Sequence, residues 1–143
     1  MLRVLSIDSF ALINHLEIEF KNGLNLITGE TGSGKSILVD SVALLVGERA
    51  SQEMVREGFD RASVEGLFSL TRENPAWDRL LEAGIHVSDG EVIIRREIAR
   101  SGSNKVYING HLCTLGFLWE IGRLLADIHG QHDQQTLLNP ATH

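Results

Sequence analysis

One cysteine in 143 residues, Cys113, excludes an internal disulfide, and a lone thiol of this kind reads as a small core residue rather than a nucleophile. No N-terminal apolar run of secretory type is present, and no stretch approaches the length of a membrane span. The expectation is a cytoplasmic protein without a membrane partner. Positive charge is also scarce. Thirteen Lys and Arg against nineteen Asp and Glu give a net charge of −6, which argues against a broadly basic nucleic-acid-binding surface while leaving room for a local basic patch. Internal repeats and low-complexity segments are absent. What the chain does have is 43% apolar residues, ample for a packed core, so disorder is set aside. Its length suits one modest domain or part of a larger protein.

The run Gly29-Glu30-Thr31-Gly32-Ser33-Gly34-Lys35-Ser36 fits G-x-x-x-x-G-K-[ST] at every fixed position. The glycines let successive backbone N–H groups turn inward toward phosphate oxygens. Lys35 adds positive charge where β- and γ-phosphates would lie, and Ser36 offers a hydroxyl to Mg²⁺. Before the loop, Gly23-Leu24-Asn25-Leu26-Ile27-Thr28 reads as a buried strand. After it, Ile37 to Val46 has apolar residues around most of a helix, with Gly47 as its stop. Strand, glycine loop and helix N-terminus together make an anion site, and the reading is nucleotide binding. Gly29 through Ile37 are the candidate cofactor-binding residues, and Lys35 is also a candidate catalytic residue.

Leu2–Ile7 and His15–Phe20 alternate as strands, and Asn22-Gly23 is a hairpin turn into the strand before the loop. Residues 47–61 read as a polar loop with a helical turn. Ala62–Leu70 reads as a strand. Pro75–Gly84 reads as a helix capped by Asn74 and stopped by Gly84. Glu91–Arg100 and Lys105–Gly110 read as two strands joined by the turn-rich Ser101-Gly102-Ser103-Asn104. Thr114–Leu125 has helical spacing, with Leu115, Leu118, Trp119, Ile121 and Leu125 as core candidates. Ala126-Asp127-Ile128-His129 is a short run into the polar Gly130-Gln131-His132-Asp133-Gln134-Gln135. Asp127, His129, His132 and Asp133 have no second matching ligand cluster, so they do not read as a transition-metal site. Arg95, Arg96 and Arg100 form a basic run, but Arg95 and Arg96 face opposite sides of an alternating strand.

Four phrases in this order and spacing carry a resemblance: Thr28 to Ser36, Met54-Val55-Arg56, Tyr107-Ile108-Asn109-Gly110, and Ile128-His129-Gly130-Gln131-His132. Together they resemble the N-terminal lobe of an ABC-type ATPase head of the SMC-like group, and within it the bacterial double-strand-break repair ATPases. The resemblance spans essentially the whole chain. It implies an α/β P-loop NTPase fold, with a mixed sheet around the phosphate-loop helix and an antiparallel β part.

The same resemblance implies a role for Gln131, the glutamine that contacts Mg²⁺ and the attacking water. A neutral carbonyl oxygen can ligate Mg²⁺ without adding charge. Ser36 and Gln131 are thus the candidate Mg²⁺ ligands, with Gln134 and Gln135 as alternatives to Gln131 and a plain polar turn as the simpler reading. Arg49 and Arg56 lie where such heads place basic residues near phosphate or DNA; solvated or ion-paired arginines are the alternative. Where some relatives carry an arginine over the nucleotide, this chain has Ala11.

The group's signature segment, its Asp-Glu strand and its switch histidine are not found here. Residues 1–143 are therefore expected to be a head's N-terminal lobe, without its coiled coil and C-terminal lobe, and inactive alone. The implied partners are the C-terminal lobe of the same head, a second head in an ATP-dependent dimer, and single-stranded or broken DNA. The implied cofactors are ATP and Mg²⁺, and the implied location is the cytoplasm, on the nucleoid after DNA damage. The rival readings are a stand-alone nucleotide-binding regulatory module and a small P-loop kinase, whose lid and catalytic set are not evident.

Overall fold

The structure, a computed structural model, describes residues 1–20 and 32–127, with the backbone alone for 32–35 and 126–127. Strands β1 (Leu2–Phe10), β2 (Ile13–Glu19), β3 (Arg61–Ser69), β4 (Glu91–Ala99), β5 (Lys105–Ile108) and β6 (His111–Cys113) form one sheet in the order β2-β1-β3-β4-β5-β6. Every pairing among these strands is antiparallel. Helix α1 spans Gly32–Leu45, α2 Pro75–Glu82 and α3 Leu115–Asp127. A single 3₁₀ turn, Gln52–Met54, supplies the helical turn expected in the polar loop.

Alternation in the strands sets the core. Leu5 and Ile7 of β1 pair with Gly66 and Val64 of β3, which pair with Ile94 and Arg96 of β4. Ile94 and Arg96 in turn face Ile108 and Val106 of β5. All of these positions are buried, so one face of the sheet is a continuous apolar layer interrupted by a single guanidinium. Helix α1 covers that face with Leu38, Val42, Leu44 and Leu45. Gly66 makes room for it, because a Cβ there would fall 2.5 Å from Leu45 Cδ1. On the other face Arg95 bridges Glu65 and Glu97. Helices α2 and α3 pack together through apolar residues including Leu80, Leu118 and Ile121, and an Arg79–Glu120 pair closes their rim.

Helix α2 begins as the sequence demands: Asn74 Oδ1 accepts the Ala76 N–H at 2.8 Å and Pro75 follows it. Three readings are corrected. Asn109-Gly110 is not the end of a strand but the two-residue turn into β6, with φ of 49° and 83°. Positive φ at both positions is what a twisted two-residue hairpin requires. Trp119 is not core; it is 44% exposed, with the Arg123 guanidinium 3.7 Å from its ring centre. Ala126 and Asp127 are not a separate run but the last residues of α3. The i, i+3, i+4 series that buries Leu118, Ile121 and Leu125 carries the helix on through them.

Asn109 also ties the hairpin to its neighbours. Its Oδ1 accepts the Ile93 N–H at 2.7 Å and its Nδ2 donates to His86 O at 2.8 Å. Asn109→Ala is expected to cost about 0.5–1.5 kcal/mol, since it removes exposed side-chain hydrogen bonds and a residue suited to positive φ. Denaturant unfolding of the two proteins measures it.

Candidate nucleotide site

Helix α1 starts inside the glycine motif, at Gly32, so the N–H groups of Gly32, Ser33, Gly34 and Lys35 are the four that an α-helix leaves without internal partners. No acidic residue lies in the first turn, and Ser36 is exposed. Orphan donors, the positive end of the helix dipole and an accessible hydroxyl fit a polyphosphate with its Mg²⁺. Ile37, next along, is half-buried against the core. Gly29, Glu30, Thr31 and Gln131 lie outside the described residues, as do Gln134, Gln135, His129, His132 and Asp133. Among the described residues no group of three or more His, Cys, Asp or Glu could hold a metal ion.

The Met54-Val55-Arg56 phrase has a structural function. Ser9 and Ala11, both at φ 53°, occupy left-handed backbone that non-glycine residues adopt at a cost. The phrase holds them there. Ala11 N–H donates to Met54 O at 2.7 Å, Arg56 N–H to Ser9 O at 2.8 Å, and the Arg56 guanidinium to Leu12 O at 2.7 Å. Arg100 braces the phrase from β4's end, donating to Val55 O at 3.0 Å, Arg56 O at 2.8 Å and Phe59 O at 2.9 Å. Arg56 and Arg100 thus spend donors on carbonyls of this latch.

Arg49 differs. It is exposed and lines a cavity of about 510 Å³ together with Arg96, Lys105, Ser103, Asn104 and Thr114, with no carboxylate among the lining residues. Arg95 and Arg96 point to opposite faces, as the alternation requires. What sequence reading missed is that Arg96 is 1% exposed. The signal was there: Val92, Ile94 and Ile98 share its face of β4. Burial pushes its pKa down from the ordinary arginine value.

The family profile described as "AAA domain" matches residues 4–123. Along its full length the chain is 49% identical to DNA repair protein RecN of Halalkalibacterium halodurans and 50% identical to RecN of Bacillus subtilis. It spans about a quarter of the length of each of these relatives. The fold is similar to the SMC head domain from Thermotoga maritima, at 25% identity and a TM-score of 0.61, over 83% of this chain and 41% of that one. No described helix is long and apolar enough to cross a membrane, which leaves β-barrels unaddressed. The profile match over most of the chain, the likeness to RecN along its full length and the head-type fold converge: the chain belongs to the AAA domain family, and its relatives include RecN.

Proposed function

We propose that residues 1–143 form the nucleotide-gripping lobe of a DNA repair ATPase. The observation that carries this reading is the complete G-x-x-x-x-G-K-S motif with α1 opening within it, at Gly32. In this reading Gly29 to Ile37 cradle the phosphates of ATP, Lys35 neutralises developing charge, and Ser36 and Gln131 hold Mg²⁺. Bound Mg²⁺ would supply charge neutralisation between the phosphates. Gln131 orients the attacking water. The general base comes from a C-terminal lobe of the same head, and a second head closes over the nucleotide. ATP binding pairs the heads and hydrolysis releases them, while the full protein acts on single-stranded or broken DNA, in the cytoplasm and on the nucleoid. The likeness to RecN supports the repair assignment, and the fold likeness to an SMC head, of which this chain covers 41%, supports a head larger than this segment.

Lys35→Ala tests the phosphate grip. A charge-assisted contact contributes about 1.5–3 kcal/mol, so the variant of the complete protein should bind a labelled ATP analogue roughly 10- to 150-fold more weakly. Equal affinities would remove the assignment.

A further inference from the structure

The far end of α1 is held by more than its own cap. The cap is a Schellman motif: Glu48 N–H donates to Ala43 O at 3.0 Å and Gly47 N–H to Leu44 O at 3.2 Å, with Gly47 at φ 105°. In addition, three carbonyls here receive guanidinium donors from two other elements. Arg96 of β4 donates through Nη1 to Leu44 O at 2.7 Å and Glu48 O at 2.8 Å. Arg123 of α3 donates through Nη2 to Val46 O at 3.1 Å.

Arg96 is a costly way to fill its place. Arg96 occupies a core-face position between Val64 and Val106, and its Nε has no hydrogen-bond partner. An apolar residue there would avoid burying a charge and a free donor. Arg96 instead joins the sheet to the negative end of the α1 dipole. On the other side, α1's end and α3 meet backbone to backbone. A Cβ on Gly122 would lie 2.2 Å from Val46 O, and one on Gly47 would lie 2.5 Å from Trp119 Cα. Arg123 stacks over Trp119, which orients its guanidinium beside that contact.

We propose that Arg96 and Arg123 are positioning residues for the nucleotide site, a two-armed clamp that fixes α1 to both β4 and α3. The proposal rests on the nucleotide reading above. A helix of this length is a rigid rod of about 20 Å, so a shift at the clamped end is carried to Gly32–Ser36 at the other. Asp127 of α3 lies four positions before Gln131 in the sequence. The clamp therefore ties the element that begins at the phosphate loop to the element that leads to the water-orienting glutamine. Small displacements between reacting groups cost rate more than ground-state affinity.

The test uses the complete protein, with Mg²⁺·ATP turnover, ADP affinity and thermal midpoint measured together. Arg123→Ala is expected to keep ADP affinity and KM within about twofold and to lower kcat by about tenfold. Arg123→Lys, which keeps the charge and a donor but not the planar fork, should recover part of kcat. Arg95→Gln, on the solvent face of the same strand as Arg96, should leave kcat unchanged. An unchanged kcat in Arg123→Ala overturns the clamp. If that variant does not fold, Arg123→Lys decides: a lowered kcat at a wild-type midpoint supports the clamp, and a wild-type kcat overturns it. Lys35→Ala run alongside separates the two readings. If it binds ATP normally, the nucleotide reading falls and takes the clamp with it. If it loses ATP while Arg123→Ala turns over normally, only the clamp falls.

Discussion

Gln131→Ala in the complete protein is expected to slow ATP turnover by about 10²-fold or more while leaving ADP affinity nearly intact. Positioned groups that act on the attacking nucleophile, or on charge that develops in the transition state, typically contribute 10²- to 10³-fold or more. ADP lacks the γ-phosphate and the water that this side chain would order, so its binding should not register the loss. ATP-driven head pairing should weaken in parallel. Paired measurements of ADP affinity and ATP turnover decide the matter. A loss of ADP affinity as large as that of Lys35→Ala, or an unchanged turnover, would reduce Gln131 to a turn residue. Gln134→Ala and Gln135→Ala belong in the same series. A selective loss at one of them would shift the register by three or four residues and keep the mechanism.

The isolated 143-residue chain is expected to release phosphate at a rate about 10²- to 10⁴-fold below that of the complete protein, the span attributed to a positioned general base. Its sequence has the G-x-x-x-x-G-K-S motif but no Asp-Glu strand and no signature segment. The first turn of α1 carries no acidic residue that could serve as the missing base. The right control is the Lys35→Ala version of the same chain. Release well above that control would favour a self-contained ATPase or a kinase-like reading.

How much of this was legible in the sequence depended on local signals. Strands β3 and β4 were readable because their alternation runs through all nine residues of β3 and the first eight of β4. Helix α2 was readable because Asn74, Pro75 and Gly84 are local cap and stop chemistry. Gly47 announced the end of α1 for the same reason. Strand β6 was not readable, since three residues, His111 to Cys113, cannot display a period and Asn109-Gly110 blended into the strand before it. Trp119 was misplaced because apolar size was taken for burial, whereas its ring serves as a platform for Arg123. The function of Met54-Val55-Arg56 was invisible as well: its partners Ser9, Ala11 and Leu12 lie more than forty positions earlier in the chain. At the site itself, the glycine motif could be proposed as a phosphate loop from spacing alone, while Gln131 could be singled out only by resemblance, and both lie wholly or partly outside the described residues. The clamp at Arg96 and Arg123 depends on three elements meeting, and no local pattern encodes that.

The central claim is that the N–H groups opening α1 receive the phosphates of a nucleotide. It is tested most directly by following the backbone amide resonances of the isotope-labelled chain as Mg²⁺·ATP is added. The largest shifts are expected on Gly32, Gly34, Lys35 and Ser36, should saturate together, and in Lys35→Ala should need roughly 10- to 150-fold more nucleotide. Saturable shifts confined to other residues, such as those around Arg49 and Lys105, with the glycine motif unmoved, would contradict it.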